Sequence, residues 1–268
     1  MRINTNLNAM IATNQMSKNT ALAGSSMEKL STGLRITKAG DDAAGLAVSE
    51  KMRAQIRGME QAERNVQDGI SMVQTAEGAL EEAGNIAQRM RELGVQAGND
   101  TLSAEDRTKV KEELTQLQDE MKNISEETKF NGKQLLNTAG TFTIQAGANS
   151  ETRTIKTADL SSIANGLSTI TISSSAEAQS FVTKVDNALT SITAARSALG
   201  AMQNRLEYTA NNLTTSTENL TAAESRIRDV DVAKEMVTLS KLNILNQASQ
   251  AMVSQAKQQP ESVSQLLR

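Results

Sequence analysis

The segment from Val185 to Val230 reads VDNALTSITAARSALGAMQNRLEYTANNLTTSTENLTAAESRIRDV. Apolar or small residues recur in it at Val185, Ala188, Ile192, Ala195, Leu199, Met202, Leu206, Thr209, Leu213, Ser216, Leu220, Ala223, Ile227 and Val230. Their steps alternate between three and four, which keeps one stripe of a helix turned toward the same neighbour. At 1.5 Å of rise per residue such a helix spans roughly 70 Å. Just upstream, Ser174-x-x-Glu177 has the spacing of a capping box. A helix of this length with one apolar stripe requires a partner helix, so the pattern predicts a rod and not a ball.

A partner is present earlier in the chain. Met59, Ala62, Val66, Gly69, Val73, Ala76, Leu80, Ala83, Ala87 and Met90 repeat the same alternation. Asp41 or Asp42, after Gly40, is suited to cap this helix, and Gly98-Asn99 to close it. Val110, Leu114, Leu117, Met121 and Ile124 mark another helix, with Ser103 and Asp106 as a capping pair and Asn131-Gly132 beyond its end. No proline occurs before Pro260, so nothing of that kind interrupts these helices.

Between about 137 and 175 the composition shifts to Thr, Ser, Gly and Asn. Thr141–Gln145 and Thr152–Lys156 alternate at period two around Gly147-Ala148-Asn149, which predicts a β-hairpin. Leu167–Ile172 is read as a further short strand. The Ser/Thr richness itself is that of a solvated surface. The fold class that follows is mainly α: a long antiparallel helical bundle or coiled coil with a small β-hairpin region in mid-chain.

The two ends are apolar in a different manner. The first segment carries Leu7, Met10, Ile11, Leu22, Met27, Leu30 and Leu34. The last carries Met236, Val237, Leu239, Leu242, Ile244, Leu245, Ala248, Met252 and Val253, then Val263, Leu266 and Leu267. In the last helix these positions exceed one narrow stripe, and a helix apolar over that much of its circumference needs neighbours on several sides. One other terminal helix cannot supply them; adjoining copies of the chain can.

Composition removes most chemistry. The 268 residues include no His, no Cys and no Trp, which takes away the commonest general base, the thiol nucleophile and the best zinc ligands. Phosphate-binding Gly-rich loops, metal-spaced clusters and nucleophile elbows are absent from the sequence. Asp41-Asp42 and Glu81-Glu82 are adjacent pairs whose members point apart on a helix, so they are read as caps and a solvated face. Neither a catalytic nor a cofactor site is predicted, and the chain is read as a non-enzyme. With 28 Lys plus Arg against 31 Asp plus Glu and no basic run, nothing points to nucleic acid or to an anionic membrane. The start, MRINTNLNAMIATNQ, lacks the charged and apolar regions of a cleaved signal peptide, and no stretch reaches the ~20 apolar residues of a membrane span.

Several long motifs resemble one family. Met1-Arg2-Ile3-Asn4-Thr5-Asn6, LSTGLRITKAGDDAAGLAVSEKMRAQIRG (Leu30–Gly58), NVQDGISMVQTAEGAL (Asn65–Leu80), QRMRELGVQAGN (Gln88–Asn99) and FNGKQLL (Phe130–Leu136) are similar to the amino-terminal block of bacterial flagellins. AAESRIRDVDVAKEM (Ala222–Met236) and ILNQASQAMVSQAKQQPESVSQLLR (Ile244–Arg268) resemble their carboxy-terminal block.

The resemblance implies a discontinuous layout: residues 1–40 with 229–268 as an inner-core coiled-coil domain lining a channel, and 41–228 as a helical rod carrying the β region. It implies a structural subunit that self-polymerises through its terminal helices into the flagellar filament used for motility. As polymerisation interface it puts forward Leu7, Met10, Ile11, Val237, Leu242, Ile244, Leu245, Met252, Val253, Leu266 and Leu267. The implied partners are other copies of the chain, the flagellar cap and hook-junction proteins, an export chaperone and the innate immune receptor Toll-like receptor 5. For that receptor Arg89, Leu93 and Glu113 are the carried-over contacts; Gly94 stands where helix formers are more usual in the family. Export through the flagellum's own type III apparatus would make the chain extracellular without a cleaved signal peptide. The short middle implies a thin, smooth filament. Two alternatives are a hook–filament junction protein, which shares the terminal architecture, and a membrane-active amphipathic-helix protein. The second is disfavoured by polar faces rich in Asn, Gln, Ser, Thr and Glu instead of Lys and Arg.

Overall fold

The computed structural model describes residues 6–266, with side chains through residue 258. Among the described residues the order is α1 (Leu7–Thr32), α2 (Ala43–Ala97), α3 (Ala104–Glu127), β1 (Lys129–Phe130), β2 (Lys133–Gln134), β3 (Thr141–Gln145), β4 (Thr152–Lys156), α4 (Leu160–Gly166), α5 (Ser175–Arg228) and α6 (Val232–Leu266). The strands form two separate antiparallel pairs, β1–β2 and β3–β4. Two compact units result, one from Met1–Ala54 with Asn219–Arg268 and one from Gln55–Glu218, and α2 and α5 contribute residues to both.

The central unit has a dense core. The α2 stripe (Val66, Val73, Ala76, Leu80, Ala83, Ala87, Met90) is buried, as are Val185, Ile192, Leu199 and Leu206 of α5 and Val110, Leu114 and Met121 of α3. Leu117 and Ile124 of the same α3 stripe are only half-buried. A Cβ on Gly84 would make an ordinary contact with Ile192 Cγ2 at 3.8 Å, so that glycine leaves the α2–α5 packing unchanged. At Gly94 a Cβ would lie 2.9 Å from Val182 Cγ2 and 3.2 Å from Phe181 Cδ1, and Phe181 is among the largest fully buried side chains. Gly94 therefore makes room for an aromatic core residue. Ion pairs Arg91–Asp186 (2.7 Å) and Arg196 with Glu77 and Glu81 (3.9 and 3.8 Å) flank the stripe, and being exposed they contribute little.

Capping follows local chemistry. Ser103 and Asp106 form a reciprocal capping box, and the hydrogen bonds accepted from Ser103 hold the Asp106 carboxyl below its ordinary pKa. At α5 the Ser174 hydroxyl accepts the Glu177 N–H at 3.3 Å, whereas Glu177 reaches back one residue further than expected, to the Ser173 N–H at 2.9 Å. Asn131-Gly132 proves to be more than a helix terminator. With φ of 49° and 77° the pair forms the two-residue turn joining β1 to β2, the positive-φ geometry for which Asn-Gly is favoured.

The hairpin of β3 and β4 forms as predicted, with Thr141 opposite Lys156 and Gln145 opposite Thr152. It packs onto α2 through glycines. Gly69 has no side chain where Ile144 lies, and a Cβ on Gly58 would lie 2.9 Å from Ala148 Cβ. The Asn65 amide adds a hydrogen bond to the Gln145 carbonyl at 3.2 Å. The expected strand at Leu167–Ile172 is not formed. Asp159 instead caps the short helix α4, accepting from the Ser162 N–H at 2.8 Å, and a local bond from Ile170 N–H to Ser168 O follows it. Leu167, Ile170 and Ile172 are buried by packing alone, and without a neighbouring edge no ladder develops.

In the terminal unit, α1 ends at Gly33, whose left-handed φ of 72° turns the chain and whose N–H bonds to Lys29 O at 2.9 Å. Arg35 N–H then donates to Arg228 O (2.7 Å) and Val230 N–H to Gly33 O (3.0 Å), a single β-bridge tying the end of α1 to the start of α6. Asp42 is the residue that caps α2, accepting from Gly45 N–H at 2.9 Å. Asp41 instead gathers the Thr37 and Lys38 N–H groups and the Thr37 hydroxyl.

Candidate assembly surface

Helices α1 and α6 pair antiparallel, with the Asn6 amide donating to Ala256 O (2.6 Å) and Thr20 to Asn246 (3.5 Å). The shielded positions of α1 step by three and four through Ala12, Met16, Asn19, Ala23, Ser26 and Leu30. Those of α6 do the same through Leu239, Leu242, Asn246, Ser249, Val253 and Ala256. This is a heptad seam, but half of it is small or polar: Asn19, Ser26 and Ser249 are buried, while Ile36 and Leu242 are the unit's buried large apolar side chains among the described residues. Small residues permit close approach of two helices and bury little apolar area.

The large apolar side chains are placed off the seam. Leu7, Met10, Ile11, Leu22 and Met27 on α1, and Val232, Met236, Val237, Ile244, Leu245 and Met252 on α6, are all exposed. Among the described residues the exposed large apolar side chains outside this unit are Val95 and Tyr208. Beside the seam Asn8, Ile11, Ala12, Gln15, Ser249, Met252, Gln255 and Ala256 line an open groove of about 460 Å³. Large apolar side chains exposed in such number on two paired helices are a feature of interaction surfaces.

Of the residues expected from the sequence to mediate polymerisation, Leu7, Met10, Ile11, Val237, Ile244, Leu245 and Met252 lie on this exposed surface. Leu242 differs, being 8% exposed, and Val253 is half-buried on the seam. The side chain of Leu266, and all of Leu267, lie outside the described residues. Leu22, Met27, Val232 and Met236 share the exposed faces although they were not in the expected set. The signal for them was apolarity off the three-four stripe.

The second expected surface is in the central unit. Arg89 donates to Glu113 (2.9 and 3.2 Å) and to Glu92 (3.1 Å), and these bonds, that to Glu113 foremost, raise the guanidinium pKa above its ordinary value. All three groups are substantially exposed. Leu93 is not: at 2% exposure it continues the inward stripe of Met90. Arg89 and Glu113 therefore form a surface ion pair, with Leu93 beneath as packing.

Among the described residues no group of three His, Cys, Asp or Glu is placed to hold a metal, and no helix is long and apolar enough to cross a membrane.

Comparison with known proteins is consistent along the whole chain. The family model for the bacterial flagellin N-terminal helical region matches residues 3–141, and that for the C-terminal helical region matches 182–267. The flagellin of Halalkalibacterium halodurans is 54% identical and that of Bacillus subtilis 49% identical, each with all of both chains covered. The 33 kDa flagellar filament core protein of Treponema phagedenis is 44% identical over the same extent. The crystal structure of Bacillus cereus flagellin superposes with a TM-score of 0.52 at 37% identity, over 60% of this chain and 94% of that one. A hook-associated protein structure from Vibrio parahaemolyticus gives a TM-score of 0.60 over 70% of this chain and all of that one, but at 12% identity it speaks for the fold alone. Paired helical ends, a helical middle with a small β region, and family matches across both arms lead to one conclusion: the chain belongs to the bacterial flagellins and is a structural, self-polymerising subunit of the flagellar filament, not an enzyme.

Proposed function

We propose that subunits join through the outer faces of α1 and α6, with the α1–α6 seam serving only to hold those two helices together. The observation that carries this reading is the number of large apolar side chains that α1 and α6 leave in solvent while much of their shared seam is small or polar. Burial of each such side chain against a neighbouring copy contributes ~1.5–3 kcal/mol. Eleven of them over two helices suffice to drive assembly against the cost of immobilising a subunit. On this reading residues 1–40 and 229–268 form the filament's inner domain and 41–228 its outer rod. The short β region leaves the filament thin and smooth.

The finer partners belong to the same reading. Cap and hook-junction proteins would meet the apolar faces at the filament's ends, and an export chaperone would cover them before secretion, unfolded, through the type III apparatus. The Arg89–Glu113 pair, backed by Leu93, is the surface available to Toll-like receptor 5 on free subunits. The junction-protein alternative has no observation in its favour.

Negative-stain electron microscopy of the purified chain, seeded with short filament fragments, tests the proposal. The intact chain forms long filaments and a chain lacking residues 239–268 forms none. Filaments from the truncated chain would overturn it.

A further inference from the structure

Methionine is distributed unevenly between the two units. Met10, Met27, Met236 and Met252 are 51%, 58%, 53% and 66% exposed, and all four belong to the terminal unit. In the central unit Met59, Met72, Met90 and Met121 are buried, the last two completely, and Met202 is half-buried. A thioether is oxidised in proportion to its access to solvent, so the free subunit presents its reactive sulfurs on the apolar surface off the seam and protects those of its core.

We infer that Met10, Met27, Met236 and Met252 are oxidation sites at which a peroxide-class oxidant reversibly switches off polymerisation of the free subunit. The inference rests on the reading that the outer faces of α1 and α6 are the joining surfaces. The thioether sulfur attacks one peroxide oxygen, the O–O bond breaks and an S–O bond forms. The sulfur is oxidised by two electrons to the sulfoxide, and the peroxide is reduced to water with both of its protons. Each side chain thereby gains a strong hydrogen-bond acceptor where a dry contact needs none. Met252 lines the groove beside the seam together with Ile11, so its added oxygen falls against that apolar side chain, while Met10, Met27 and Met236 gain theirs at exposed positions of the same two helices. Burying an unpaired acceptor disfavours association. Oxidation leaves the central core untouched, and reduction of the sulfoxides restores the original surface.

The test uses the full chain as free subunits given a limited dose of hydrogen peroxide, followed by peptide mass mapping and a seeded pelleting assay. The four exposed methionines gain about 16 Da each before any buried methionine does. The critical concentration rises about tenfold or more, as expected for an unsatisfied buried acceptor. Treatment with methionine sulfoxide reductases returns it to its starting value. A variant carrying Met→Leu at all four positions polymerises equally with and without peroxide; if that variant fails to assemble untreated, the reductase arm decides. First oxidation at Met59 or Met90, an unchanged critical concentration, or a loss that the reductases do not reverse would overturn the inference. An Ile11→Ser/Ile244→Ser chain separates it from the assembly reading. If that chain fails to polymerise while the oxidised one succeeds, only the oxidation inference falls; if both polymerise, both fall.

Discussion

The two units of this chain use the same helical periodicity for opposite purposes. In the central unit the three-four stripe carries the large side chains, so Leu80, Met90, Leu114 and Leu206 are buried within one subunit. In the terminal unit the same stripe mixes Met16, Leu30, Leu239, Leu242 and Val253 with Asn19, Ala23, Ser26, Asn246 and Ser249, and further large side chains stand beside it in solvent. Periodicity decides which residues of a helix meet a partner within the chain. Residue size decides whether that meeting satisfies the helix. Where it does not, the remaining apolar surface is left for other copies of the chain, and a filament subunit needs both kinds of helix pair.

The largest contrast comes from the same truncation made in each unit. Leu80→Ala leaves a cavity in a fully buried site and should destabilise the central unit by ~3–5 kcal/mol, read as an earlier thermal or urea transition of the free subunit. Ile244→Ala removes side-chain volume from an exposed position, so its effect on subunit unfolding should stay within about ±0.5 kcal/mol. Its cost appears in assembly, where a lost contact worth ~1.5–3 kcal/mol raises the critical concentration roughly tenfold to a hundredfold. Equal effects of both substitutions on the free subunit would erase the distinction between the units.

Glycine substitutions refine the packing side. Gly94→Ala places a Cβ 2.9 Å from Val182 Cγ2 and should destabilise the central unit by ~1–2 kcal/mol despite alanine's better helix propensity. Gly200→Ala meets nothing within 4 Å on α5 and should stabilise by ~0.5–1 kcal/mol. Urea midpoints of the two variants, moving in opposite directions, check this.

The smallest effects are electrostatic, and here the units behave alike. Asp106 in the central unit and Asp41 in the terminal unit both have carboxyl groups held below the ordinary value of 3.8, by the Ser103 hydrogen bonds and by the Lys38 and Thr37 N–H groups respectively. A depressed folded-state value means that the stabilisation is complete above the unfolded value and is lost as pH falls through the lower folded one. Lys38, raised above 10.5 foremost by its hydrogen bond to Glu28, has the opposite sign: its contribution is complete below 10.5 and is lost as pH rises through the higher folded value. Urea titrations should therefore show Ser103→Ala losing about 1 kcal/mol at neutral pH, with less of that difference remaining once Asp106 is protonated.

Much of this was legible from residues alone, and the exceptions have physical causes. Helices α2, α3 and α5 declared themselves because their stripes are built from large apolar residues, and β3–β4 because period two persists over five residues on each side. Helix α4 went unread because its seven residues are too few for the repeat of Leu160, Ile163 and Ala164 to stand out. The Asn131-Gly132 turn was taken for a helix terminator because its strands are only two residues long. In the terminal unit apolarity located the sticky surface but not the seam, since a contact in which Asn, Ser and Ala alternate with the large residues has a weak hydrophobic signature. Leu242 followed from the same difficulty: composition identifies an apolar residue, and only the packing tells whether it faces a neighbour in its own subunit.

Amide hydrogen exchange, measured by mass spectrometry on free subunits and on assembled filaments of the same chain, tests the contrast most directly. The account predicts that α2 and α5 within 55–218 are strongly protected in both states. Helices α1 and α6 should exchange rapidly in the free subunit and become protected only in the filament. Full protection of α1 and α6 already in the free subunit, unchanged on assembly, would contradict it.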